Sequence, residues 1–198
     1  MARFGRLLSR PVVLSGAVVL TLLVAFGMYW FQPWKLVVDE TVNESLPSAA
    51  PTATSSPGTG PDTDVGGDGD DASATPTPPA EPRTLVSGEL ISHEHSTSGS
   101  VRVVETADGN RVLRLENLDT SNGPDLHVWI TDAPVIEGRA GWHVFDDGEY
   151  VNLGKLKGNK GSQNYELPET VDLEKLTSVS IWCKRFAVSF GAAELKEA

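Results

Sequence analysis

The chain has one cysteine, Cys183, and two methionines, Met1 and Met28, in 198 residues. A lone cysteine excludes an internal disulfide framework, a thiolate zinc cluster and a Cys-x-x-Cys redox pair within one chain. It also excludes c-type haem attachment, which takes two cysteines. Excess positive charge is missing too. Sixteen Lys and Arg stand against 27 Asp and Glu, for a formal net charge of −11. A basic nucleic-acid binder, with its clustered Lys and Arg, is therefore excluded. No Gly-x-Ser-x-Gly elbow occurs. The glycines between Gly154 and Ser162 do not keep phosphate-loop spacing, and no order of Ser, His and Asp supports a triad. A hydrolytic enzyme has no motif behind it.

What is present divides by charge. Residues 1–38 carry +4, residues 39–83 carry −8 and residues 84–198 carry −7. Val12 to Phe31 holds no charged residue, enough for a helix to cross a hydrocarbon core of roughly 30 Å. Tyr29, Trp30, Phe31 and Trp34 crowd its far end as interfacial aromatics do, and Arg3, Arg6 and Arg10 precede it. The expected organisation is a basic cytoplasmic tail over 1–11 and a transmembrane signal-anchor over 12–32. The cell membrane is then crossed once, N-terminus inside, with the rest extracytoplasmic. A cleaved signal peptide is the rival, but its apolar region would be shorter and a small-residue site would lie closer behind. No cysteine follows the span, so lipoprotein-type acylation is excluded.

Residues 33–83 read as an extracytoplasmic spacer rich in Pro, Thr, Ser, Gly and Asp, disordered because it has too little apolar surface to offset ordering. Its expected task is to lift the distal domain off the membrane. Asp62, Asp64, Asp68, Asp70 and Asp71 suggest calcium, but the closing glutamate of an EF-hand loop is absent. Asn43-Glu44-Ser45 matches a glycosylation sequon, a pattern too common to use.

Residues 84–198 alternate like strands nearly throughout. Val101–Thr106 and Arg111–Asn117 flank Asp108-Gly109, a hairpin signal, and Tyr150–Leu156 and Gln163–Leu167 flank Gly158-Asn159-Lys160-Gly161, read as another. Asp172–Leu176 is the one candidate helical turn. About eight short strands predict an all-β antiparallel sandwich or barrel-like domain. Val179, Ile181 and Cys183 share one strand face, while Phe186, Val188 and Phe190 follow the other phase. A bulge or tight bend at Lys184-Arg185 is expected, with Cys183 inward near a strand end.

Cys183 is either a small packed residue or a thiolate whose pKa Arg185 would lower. His93-x-His95 would set two rings on one face of an extended segment, and with His143 these are the candidate metal ligands. Blue-copper geometry is not expected, because no methionine lies in the domain and no histidine follows Cys183. Haem would take Cys183 or a histidine as axial ligand. Trp129 and Trp182 fall on the outward phase of their strands, with His127 beside Trp129. If those strands are neighbours, the outcome is either second-layer packing or a docking or cofactor face. Gly123-Pro124-Asp125 reads as a turn feeding a strand, with Asp125 a weaker candidate for an ion.

Segments in order carry a family resemblance: Gly88-Glu89-Leu90, Ser98-Gly99-Ser100-Val101, Gly123-Pro124-Asp125-Leu126, Leu153 to Gly158, Gly161 to Tyr165, Leu167-Pro168 and Val179 to Cys183. Phe186 to Phe190 and Ala193-Glu194-Leu195 follow. Over residues 85–196 the chain resembles the DM-thirteen domain family, electron-transfer DM domains of cell surfaces. Its motif positions here include Gly154, Gly158, Gly161, Tyr165 and Pro168. The resemblance implies an all-β fold and electron transfer through Cys183, as a bare thiol or as ligand to a group such as haem. Such domains sit beside DOMON and cytochrome-b-type modules. None is present here, so the redox partner is expected to be another molecule outside the membrane. The alternative is a non-redox module that binds an envelope component, with Cys183 as packing.

Overall fold

The computed structural model describes residues 10–47 and 81–198. The basic tail up to residue 9 and the acidic stretch 48–80, with Asp62, Asp64, Asp68, Asp70 and Asp71, lie outside the described residues. Helix α1 (Arg10–Phe31) contains a 19-residue apolar window, Val13–Phe31, none of it buried against protein. It is long and apolar enough to cross a membrane. The helix stops where Gln32 takes a left-handed conformation (φ 45°) ahead of Pro33, which opens a 3-10 turn over Pro33–Val37.

Among the described residues eleven strands follow: β1 (Thr41–Asn43), β2 (Arg83–Glu89), β3 (Ile91–Ser92), β4 (Ser98–Glu105), β5 (Arg111–Asp119), β6 (Leu126–Thr131), β7 (Tyr150–Lys155), β8 (Lys160–Leu167), β9 (Ser178–Cys183), β10 (Val188–Glu194) and β11 (Lys196–Glu197). They form two sheets, β1-β8-β5-β4-β2-β11 and β3-β10-β9-β6-β7, antiparallel apart from the parallel β1–β8 pair. Seven of the eight strands of six or more residues overlap runs read from the sequence; β2 does not alternate, and β1, β3 and β11 are too short to carry a period.

The sandwich core follows from period two. Val101, Val103, Leu113 and Leu115 of one sheet meet Val128, Ile130, Val179 and Ile181 of the other, all fully buried. The β4–β5 hairpin turns at Asp108-Gly109 as expected, with Gly109 at φ 81°. Asp172–Leu176 forms one helical turn, closed by the Leu176 amide on the Asp172 carbonyl at 2.9 Å.

Two expectations are corrected. The glycine-rich 158–161 stretch is no hairpin: β7 and β8 belong to different sheets, and the segment crosses between them. Buried side chains hold this crossover. Asn159 Nδ2 donates to the Thr120 carbonyl (2.8 Å), and Gln163 Oε1 accepts from the Lys157 amide (3.0 Å) and the Tyr165 hydroxyl (2.7 Å).

Second, residues 38–45, within the stretch read as spacer, are seated on the sandwich. β1 runs along β8, Glu44 pairs with Lys157 (2.8 Å), and Glu40 N–H donates to Asn159 Oδ1 (2.7 Å). Only a short link therefore separates the end of α1 from the sheet edge, and residues 48–80 fall between two strands of one sheet, β1 and β2. The glycines at 158 and 161 fit this seating. A Cβ on them would fall 2.5 Å from the Glu40 carbonyl oxygen and 2.2 Å from that of Val42.

The bend expected at Lys184-Arg185 is present, and a second irregularity follows it. Lys184–Ala187 is a four-residue turn ending on Ala187 at φ 49°, and the register shift itself lies between Ser189 and Gly191. Val188 and Phe190 thus rejoin Cys183 in the core, while Phe186 stays in the turn, 42% exposed.

Candidate functional site

Cys183 is fully buried and ends β9 opposite Val188 on β10 and Leu126 on β6. Burial pushes its thiol above the ordinary 9.0; the backbone N–H groups of Phe186, Arg185 and Asp125 pull the other way and do not offset it. The group is a neutral thiol at neutral pH. Arg185 does not activate it, because that side chain points away to the end of α1. There it donates to the Trp30 carbonyl, and its guanidinium lies 5.3 Å over the Trp30 ring. A cation on the open carbonyls of a helix C-terminus is in its favourable place.

The outward residues of β6 and β9 do become neighbours, since β6 pairs with β9 and His127 lies opposite Trp182. The segment 132–149 covers them. Trp129, Trp182, Phe145, Ala133 and Ala192 make a second buried cluster, with Trp182 1% and Phe145 0% exposed. Trp129 stacks on Tyr150 at 4.0 Å and on Trp182 at 5.2 Å. Ser178 Oγ donates to the Ala133 carbonyl (2.6 Å), and a Cβ on Gly141 would fall 1.9 Å from the Ile136 carbonyl oxygen, so the cover is tightly fitted.

His127, buried beside this cluster, has both ring nitrogens engaged, Nδ1 with Asn152 Oδ1 (3.2 Å) and Nε2 with Asp125 Oδ1 (3.1 Å). The four cofactor candidates do not surround one space. Cys183 faces the sandwich core, whereas His127, Trp129 and Trp182 lie on the other side of the sheet. As a porphyrin cradle these four residues do not fit: the sulfur is enclosed by core and backbone, and no histidine nitrogen among them is free.

His93 and His95 do not share a face, because the chain bends over 93–95 instead of running extended. His93 turns under the cover beside Phe145 (5.7 Å), with Nδ1 on Ser189 Oγ (2.9 Å), and burial depresses its pKa below 6.5. His95 lies against the Phe190 ring at 3.9 Å and pairs with Glu94. His143 is exposed on the cover, its Nδ1–H donated to the Ala187 carbonyl at 2.6 Å. Among the described residues no three His, Cys, Asp or Glu side chains are grouped to hold a metal ion.

His95 and His143 instead meet at a cavity of about 500 Å³, within the range of small-molecule sites. It lies between the foot of α1 and the end of the sandwich. Phe31, Trp142, Phe186 and Phe190 supply apolar walls, and Lys35, Glu94 and Arg139 add charge at the edge. Phe31 stacks on Phe186 at 6.0 Å, closing one side. The indole Nε1 of Trp142 is buried and has no hydrogen-bond partner.

The motif glycines shape this end of the fold. A Cβ on Gly123 would press on Leu126 and Phe190 at 3.0 Å, and Pro124 continues the wall into β6. Asp125 accepts the Lys184 amide on its carbonyl, tying the β6 entry to the Cys183 turn. Farther away, Gly154 takes φ 126°, the buried Tyr165 phenol is pushed above its usual range by burial, and the Pro168 carbonyl accepts from Arg111.

Sequence reasoning missed Phe31, Glu94, Arg139, Trp142 and Phe186 as site residues. The signal was present in part: Trp142 is a large aromatic in a turn-rich segment where no strand period assigns it to a core, whereas Phe186 was read into a strand phase and lies in the turn before β10. A family model described as Electron transfer DM13 matches residues 89–195, just over half of the chain. No curated protein and no solved structure matches it.

Proposed function

We propose that this chain, which belongs to the electron transfer DM13 family, is a membrane-anchored module that exchanges electrons through a redox-active molecule held in the pocket at the foot of α1. α1 crosses the membrane once, with the arginine-bearing N-terminus in the cytoplasm and the sandwich outside. The redox partner is a separate molecule.

The observation that carries this reading is the contrast between the pocket and the cysteine behind it. Thiol exchange needs a thiolate and access, and Cys183 has burial and a raised pKa. The pocket has access, aromatic walls and ionisable side chains, and Phe186 and Val188 of its lining lie three and five positions after Cys183. Cys183 then serves as packing at the end of β9. A thiol-centred role requires the 184–187 turn to open.

The test uses the full chain isolated in mild detergent with its own membrane lipids. Its ultraviolet–visible spectrum is followed through a cycle of dithionite and ferricyanide. A reversible signal kept in Cys183→Ala and lost in Phe186→Ala is the expected result. A signal lost in Cys183→Ala and kept in Phe186→Ala returns the role to the thiol. Absence of any reversible signal overturns the electron-transfer reading.

A further inference from the structure

We infer that the pocket takes the head group of a membrane-soluble quinone. This rests on the electron-transfer and anchoring reading above and names the substrate class.

Position comes first. Phe31 is both the last residue of the apolar helix and a wall of the pocket, so the cavity opens where the hydrocarbon ends. The flank of α1 is bare apolar surface. An isoprenoid tail can follow it while the ring enters the protein. The seating of β1 on β8 keeps the sandwich at this level, close to the foot of the helix. A water-soluble carrier would have no need of that proximity.

The polar groups come second. A quinone ring is planar and offers two carbonyl acceptors; a quinol offers two O–H donors. Phe31, Phe186 and Phe190 give flat apolar contact. Lys35 and Arg139 on the same lining are N–H donors suited to a ring carbonyl. His143 has the complementary role. Its Nδ1 carries the proton donated to the Ala187 carbonyl, so in the neutral ring Nε2 is left as an acceptor for a quinol O–H. Glu94 and His95 form a second polar pair on the wall. One pocket therefore holds partners for both redox forms of the ring. A phospholipid phosphate would engage Lys35 and Arg139 but would leave the aromatic walls unused.

The full chain is placed in nanodiscs of neutral phosphatidylcholine and titrated with a decyl-tailed benzoquinone, read by quenching of tryptophan fluorescence against empty nanodiscs. Saturable binding is expected, weakened about tenfold or more in Phe186→Ala and in Trp142→Ala, which each remove an aromatic wall, and unchanged in Tyr150→Ala. Circular dichroism checks that each variant is folded. Photo-crosslinking with an azido-quinone, mapped by mass spectrometry, gives a second reading independent of the variants and is expected to mark residues 184–190. Three results overturn the inference: no saturable quenching, equal binding in all variants, or displacement of the quinone by phosphatidylglycerol. If quinone fails to bind while the reversible redox signal persists, this inference falls alone. If quinone binds and no redox signal exists, the electron-transfer reading falls and the binding site stands.

Discussion

Four residues, Lys184 to Ala187, separate two unlike environments. On one side Cys183 closes β9 inside the sandwich, fully buried and held neutral. On the other, Phe186 projects from the same turn into an open aromatic cavity edged by Lys35, Glu94 and Arg139. The first has the reactive atom without access; the second has access and no reactive atom of its own. The two environments also predict different responses to substitution, and each of the following experiments sets one against the other.

The largest effect is expected on the buried side. Trp182→Ala removes the largest fully buried side chain, under the 132–149 cover, and is expected to lower stability by about 3–5 kcal/mol in urea denaturation. A loss below about 1 kcal/mol would mean that the cover is loose and that the outer face of β6 and β9 is available to a partner.

A pH effect comes next. Buried His93 has a folded-state pKa below its ordinary 6.5, so on acidification the unfolded chain binds a proton first. Its contribution is fully present above pH 6.5 and is lost as pH falls from there toward the folded value. The slope cannot exceed about 1.4 kcal/mol per pH unit, the limit for one proton. Denaturation midpoints measured from pH 7.5 to 5 are expected to fall, and to fall less in His93→Gln.

Cys183→Ala removes only one buried sulfur and is expected to cost about 1 kcal/mol, with the redox signal intact. The smallest change in stability belongs to the pocket. Phe186→Ala, at an exposed turn position, is expected within about 0.5 kcal/mol of the parent while losing the ligand. A large stability loss in Phe186→Ala with unchanged ligand binding would invert the comparison.

Legibility in the sequence followed the length of each pattern. Alternation over Leu113–Glu116, Leu126–Ile130 and Val179–Cys183 assigned inward and outward residues as the sheets have them, and the 22-residue helix was plain from its apolar run. β1 was hidden because three residues in a polar stretch carry no period; it is ordered by side chains over a hundred positions away, Asn159 and Lys157. The 158–161 turn misled because glycines suit a between-sheet crossing as well as a hairpin. Cys183 could be placed inward by counting, and the resemblance singled it out. The pocket could not be found that way. It joins the foot of α1, the bend at Glu94-His95, the cover at Arg139–His143 and the turn at Phe186. Only the fold brings these together.

Alkylation of Cys183 in the folded full chain tests the contrast most directly. With the thiol sealed, labelling by iodoacetamide at pH 8 is expected to proceed only through unfolding. It should be at least about a thousandfold slower than in the unfolded chain and should rise with urea in step with the unfolded population. Fast labelling of the native protein, independent of its stability, would contradict the account and place the reactive centre at Cys183.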